Sequence, residues 1–163
     1  MQRYRLLMWP ALLRSVVGFR SAAPARAEHA LEYLNDVYRF AWFLSGSSDG
    51  AEKLVQEAYE RTWREYLRGR TIRNWRLSLL RCLLDIAEDL RFSGEGPEGD
   101  ERRSPMWGEL LKLDFRRRAL VILDALDLQL VEIAWVARAS EAEVTREWRA
   151  ALEALDARTD CEH

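Results

Sequence analysis

Apolar residues at Leu31, Leu34, Val37, Tyr38, Ala41 and Trp42 recur at the i, i+3, i+4, i+7 spacing that lines up one face of a helix. This spacing predicts a first helix ending at "SGSSDG". Asp49 followed three residues later by Glu52 resembles a capping box, in which each side chain accepts from an otherwise unpaired backbone N–H. A second helix is therefore expected over about 50–68, with Ala51, Leu54, Val55, Ala58 and Thr62 inward. A third is expected from near Thr71, repeating apolar residues at Ile72, Trp75, Leu79, Leu83, Ile86 and Leu90. No segment alternates with period two, so the expected class is all-α.

"FSGEGPEGDERRSP" combines Gly, Pro and charge without apolar periodicity and reads as a flexible linker. Beyond it come four short helical segments, "MWGELLKL", "FRRRALVILDAL", "LVEIAWVARA" and "EAEVTREWRAALEAL". Ser140 and Glu143 form another capping box, and the short stretch between Trp135 and Val144 leaves room only for a tight turn. The last segment should turn Val144, Trp148, Ala151, Leu152 and Leu155 inward. The pair suggests a helix-turn-helix, a corner that purely structural helical hairpins also contain. The expected organisation is a basic N-terminal extension over 1–27, a helical domain over 28–92, a linker over 93–105 and a second helical domain over 106–158.

Composition narrows the function. The 163 residues, 48% hydrophobic and 32% charged, suffice for one domain or two small helical ones. A formal net charge of −2 gives the molecule as a whole no attraction for nucleic acid, so such binding requires a local patch. The charge is uneven: 61–81 holds seven Arg against the single acid Glu65, while 140–163 holds seven acids against three Arg. Two surfaces with different partners are expected. The arginines are interleaved with Trp63, Tyr66 and Trp75, a composition suited to single-stranded nucleic acid, although Trp75 falls on the apolar repeat and reads as core.

Cys82 and Cys161 match no metal or redox spacing, which favours a reduced, cytoplasmic setting. His29 and His163 are the only histidines, no nucleophile, base and orienter combine, and no Gly-rich phosphate loop precedes a helix. No enzyme, metal or cofactor is expected. The first 27 residues carry five Arg and no acid and end in "APARA". That stretch admits three readings: a secretory signal interrupted by Arg14 and Pro10, a basic extension contacting a membrane surface or partner, or a disordered leader.

"DGAEKLVQEAYERTW" resembles "DAEDLVQEtFlraW", the second helix of extracytoplasmic-function sigma factors, with Ala51, Glu52, Leu54, Val55, Gln56, Glu57 and Trp63 in place. Trp75, Leu79 and Arg81 resemble the following "WLyrIarN…D", and "RRRALVILDALDLQLVEIAWVA" resembles "reReVlvLryvegLSyeEIAevL". The resemblance spans about 31–156. It implies a sigma region 2-like bundle of three to four helices and a region 4-like helix-turn-helix domain. It also implies docking of Asp49, Glu52, Lys53, Gln56 and Glu57 on core RNA polymerase, with Lys53 standing where the family has an acid. Arg70, Arg73, Arg76 and Arg81 would hold the opened promoter strand, and Thr145, Arg146 and Arg149 would contact promoter DNA from the recognition helix.

Other positions break the resemblance. The third helix continues with Cys82, Asp85, Glu88 and Asp89 where the family turns basic. In the recognition helix, Thr145, Glu147, Ala150 and Leu152 replace the usual cations, and Arg138 replaces the turn glycine. Each lost phosphate contact lowers affinity and its salt slope, so promoter contact should be weakened. Two classes of function follow: a divergent sigma factor directing polymerase in transcription initiation, or a sigma mimic deficient in DNA binding that sequesters an anti-sigma factor or other regulatory partner.

Overall fold

The computed structural model describes residues 28–90, 108–110 and 113–159, and among them every regular element is helical. The sequence expectations for 1–27 and 93–105 lie outside these residues. A 3-10 helix over Glu28–Tyr33 leads into α1 (Leu34–Ser45), α2 (Ser48–Leu67) and α3 (Trp75–Asp89). The second half contributes α4 (Phe115–Asp124), α5 (Leu130–Val136) and α6 (Glu141–Thr159).

α1, α2 and α3 pack on one another as an N-terminal bundle, and α4, α5 and α6 do the same in the C-terminal half. The bundles also touch directly, α1 against α4 and α3 against α5. One continuous core results. It runs from Val37, Phe40, Leu54, Leu80 and Leu83 to Leu120, Leu123, Ile133 and Val144.

The α1–α2 corner is tight. Gly46 ends α1 in the left-handed conformation (φ 72°), with its N–H donating to the Trp42 carbonyl. The cap of α2 is Ser47, whose hydroxyl accepts from the Gly50 N–H at 3.1 Å, so α2 begins two residues before the start expected from Asp49 and Glu52. Gly50 is forced here because a Cβ would sit 2.7 Å from the Ser45 Cβ and 2.9 Å from the Ser47 hydroxyl. All five residues expected inward on α2 are buried, joined by Tyr59, whose hydroxyl donates to the Ala30 carbonyl at 2.8 Å.

Two expectations need correction. α3 starts at Trp75 rather than near Thr71, because the Asn74 side chain accepts from the Leu77 N–H and fixes the start there. Leu90, assigned to its apolar repeat, is the C-cap and lies 61% exposed. On α1 the fully buried face is Val37, Phe40, Ala41 and Leu44, while Leu34, Tyr38 and Trp42 pack only partly. Trp42 and Phe43 also meet the small apolar cluster of Leu110, Leu113 and Ala151, so α1 is apolar on two sides.

α5 and α6 are joined by the turn 137–140. Arg138 adopts φ 51° there, the left-handed backbone its glycine-like position calls for, at a cost of about 1–2 kcal/mol for a non-glycine residue. The expected cap of α6 forms: the Ser140 N–H donates to Glu143 Oε2 at 2.8 Å, and the Glu143 N–H to Ser140 Oγ at 3.3 Å. The Ser140 N–H and the Ser140 hydroxyl, both donating to Glu143 Oε2, hold the Glu143 carboxyl below its ordinary range. Val144 is buried in the shared core and Ala151 in the smaller cluster with Leu110 and Leu113, with Trp148, Leu152 and Leu155 half-buried.

Candidate functional site

Asp49, Glu52, Lys53, Gln56 and Glu57 recur along α2 at three- and four-residue spacing and lie opposite its buried stripe. Asp49, Lys53 and Gln56 are exposed, Glu52 and Glu57 half-buried. The face is held by side chains of its own helix: the Gln56 amide donates to Glu60 at 3.0 Å, and Glu57 accepts from Arg61 Nε at 2.7 Å. Such exposed pairs add little stability and leave the carboxylate and amide oxygens open to a basic partner.

The four arginines expected to hold a strand divide. Arg70 and Arg73 are exposed, Arg70 pairing loosely with Glu65 at 2.8 Å. Arg76 is half-buried: it pairs with Asp36 of α1 at 2.8 Å and donates to the Leu126 carbonyl beyond α4 at 2.5 Å. Arg81 is also half-buried, its guanidinium carbon 4.5 Å from the centre of the Trp135 ring on α5. Within this conformation both are committed to contacts that include the C-terminal bundle.

The aromatics beside them stack on one another. Trp63, Tyr66 and Trp75 form a triangle with ring centroids 5.7, 5.9 and 5.5 Å apart, and Trp75 is buried as its place on the repeat implied. This cluster closes the base of the α2–α3 corner rather than offering free ring faces. Cys82 nearby is a free, half-buried thiol whose pKa burial pushes up, the behaviour of an inert packing residue.

On α6, Arg146 and Arg149 are exposed and Thr145 is half-buried, its hydroxyl donating to the Glu141 carbonyl at 2.8 Å. Glu147 is not a free charge. It accepts from Arg117 of α4 at 3.1 Å, within a chain of pairs that also includes Asp114 and Arg146. Glu143 is spent on its own helix cap. The Glu143 and Glu147 carboxylates are thus engaged within the protein, Glu143 at the start of α6 and Glu147 with Arg117 and Arg146.

Sequence reasoning missed the partners of Arg76, Arg81 and Arg138. Asp85, which breaks the basic pattern of α3, pairs at 2.5 Å with Arg138, which breaks the glycine pattern of the turn. Asp36, a lone acid in the first turn of α1, and Trp135, a large aromatic left exposed on α5, are the signals in the sequence for these contacts. Among the described residues no cluster of His, Cys, Asp and Glu could hold a metal ion, and no helix is long and apolar enough to cross a membrane.

No family model and no curated protein sequence matches this chain. Among solved structures it is similar to the sigma factor RpoE from Bartonella quintana, solved in complex with the anti-sigma factor NepR, at a TM-score of 0.66 and 17% identity. The match covers 84% of this chain and 98% of that one. The arrangement of helices built up above is therefore the fold of a sigma factor.

Proposed function

We propose that this protein is a sigma factor of the extracytoplasmic-function type that binds core RNA polymerase through the outer face of α2 and directs it in transcription initiation. The observation that supports the reading is that face: Asp49 and Gln56 exposed and Glu52 and Glu57 half-buried along the outer side of a rigid helix, in the residue pattern that resembles the polymerase-docking helix, on a sigma-factor fold. Its role is to bind and position rather than to catalyse, it needs no cofactor, and its compartment is the cytoplasm, where polymerase is. Residues 28–92 and 106–158 act as its region 2-like and region 4-like domains, with α5 and α6 as the helix-turn-helix. Arg70, Arg73, Arg76 and Arg81 are the strand-binding set, and Arg146 and Arg149 the remaining DNA contacts of a weakened recognition helix.

A second reading has its own support. Arg76 and Arg81 are engaged within the protein, and the similar sigma factor was solved with an anti-sigma factor bound. A sigma mimic that captures such a partner without reading DNA fits those two observations. Capture of core polymerase separates the classes. Glu52→Lys combined with Glu57→Lys should weaken capture at least about tenfold, since like charges replace complementary ones at a contact centre, while leaving the melting temperature unchanged. Equal capture by wild type and variant would defeat the first reading, and capture of an anti-sigma factor with no DNA signal at low salt would establish the second.

A further inference from the structure

Among the described residues the two most exposed leucines stand in surroundings of opposite charge. Leu90, at the C-cap of α3, is 61% exposed and follows the exposed carboxylates of Glu88 and Asp89. Leu67, the last residue of α2, is 59% exposed and sits among cations. Arg64 and Arg68 border it on the helix surface. Gly69 then turns the chain back at φ 86°, with the Arg70 N–H donating to the Glu65 carbonyl at 3.2 Å, so the loop bearing Arg70 and Arg73 starts from the same end of the helix. All four arginines are exposed, and among the described residues only Arg70 forms an ion pair, with Glu65 on the surface. Trp63, one turn before Leu67, and Tyr66 beside it are half-buried.

We propose that the C-terminal tip of α2 docks on an anionic phospholipid surface, with Leu67 entering the boundary between headgroups and acyl chains and Arg64, Arg68, Arg70 and Arg73 meeting lipid phosphates. A nucleic-acid strand would use the same cations, but it would also need ring faces on which to stack. Trp63, Tyr66 and Trp75 turn theirs on one another. What the tip presents instead is an aliphatic side chain bordered by guanidinium groups, with a tryptophan and a tyrosine at its edge. That is the composition of a surface lying in a membrane interface, where long arginine stems follow the apolar boundary and their charged ends stay among the headgroups. Cations free of carboxylate partners also suit a fluid layer of phosphates, which can rearrange to meet each of them. One leucine and four arginines make the contact peripheral and reversible.

Vesicle flotation with the full chain at fixed low salt tests this. The protein should bind vesicles of equal parts phosphatidylglycerol and phosphatidylcholine and should not bind vesicles of phosphatidylcholine alone. Leu67→Ser should weaken binding about tenfold, and Arg64→Gln combined with Arg68→Gln about twentyfold. Leu90→Ser removes an equally exposed leucine from among carboxylates and should change nothing. These side chains are all exposed, so the melting temperatures of the variants should match that of the wild type. Leu67→Ser also separates the lipid surface from a strand: its affinity for a fluorescein-labelled single-stranded oligodeoxynucleotide should equal that of the wild type, because phosphate contacts by guanidinium groups do not use the leucine. Vesicle binding that either set of substitutions leaves unweakened overturns the proposal and places the affinity elsewhere in the chain. Loss of vesicle and oligonucleotide binding together in Leu67→Ser overturns it as well and makes the tip a strand site alone. Equal binding to the neutral vesicles, or no binding to the anionic ones, has the same consequence for the proposed lipid contact.

Discussion

α2 and α3 lie side by side in one bundle and both carry abundant charge, yet they use it in opposite ways. α2 satisfies its outer side chains within its own helix, Gln56 with Glu60 and Glu57 with Arg61, and keeps its face turned to solvent. α3 sends Arg76, Arg81 and Asp85 across to other elements. The difference follows from what packs beyond them. α5 comes down on α3, whereas among the described residues none of the C-terminal helices packs extensively on α2. A charged helix face is therefore available for a partner only where the rest of the fold leaves it uncovered, and residue type alone does not decide that.

The sharpest way to break the comparison is through the core the bundles share. Leu83→Ala on α3 and Leu123→Ala on α4 each empty a fully buried position and should cost about 2–5 kcal/mol. Because the core is continuous, both should shift one common urea transition followed by tryptophan fluorescence; two separate transitions, each moved by only one variant, would show that the bundles unfold independently.

A second test contrasts the arginines directly. Arg76→Ala strands the half-buried Asp36 carboxylate and the Leu126 carbonyl and should cost about 1–3 kcal/mol. Arg61→Ala on α2 removes only an exposed pair with Glu57 and should change stability by less than about 0.5 kcal/mol. Equal losses from the two substitutions would erase the distinction between the helices.

Smaller effects lie at the helix starts. Ser47→Ala and Ser140→Ala each remove a side-chain cap, from α2 and α6 respectively, and should cost about 1 kcal/mol in thermal unfolding. They differ in acid. Glu143 has a lowered pKa in the folded protein, so its contribution is present above its unfolded value and disappears as the pH falls through the folded one. The gap between wild type and Glu143→Gln in melting temperature should therefore close on acidification, whereas the penalty of Ser47→Ala should not depend on pH in that window.

The legible part of the fold was the part packed on one side. α2 buries a single stripe, and all five residues expected inward are in it. α1 is covered from two directions, by its own bundle and by α4, so its periodicity blurred, and Phe40 and Leu44 escaped notice although both are fully buried. The turn before α6 was legible because Ser140 and Glu143 act within three residues of each other. Asp85 and Arg138 were not, being separated by 53 positions, and each seemed only a departure from pattern until the fold brought them together. Likewise, composition identified an arginine cluster but carried no information on which cations the protein had already spent internally.

The corner at Gly50 gives the outer face of α2 its aim. α2 is 20 residues long, a rod of about 30 Å, and it leaves α1 through a corner so close that a Cβ on Gly50 would run into Ser45 and Ser47. A side chain as small as a methyl at that pivot must push the rod outward, and a tilt of about 10° would carry its far end through roughly 5 Å, more than the reach of a hydrogen bond. One absent carbon atom at the fulcrum thus sets where, a full helix length away, a partner must stand to be held.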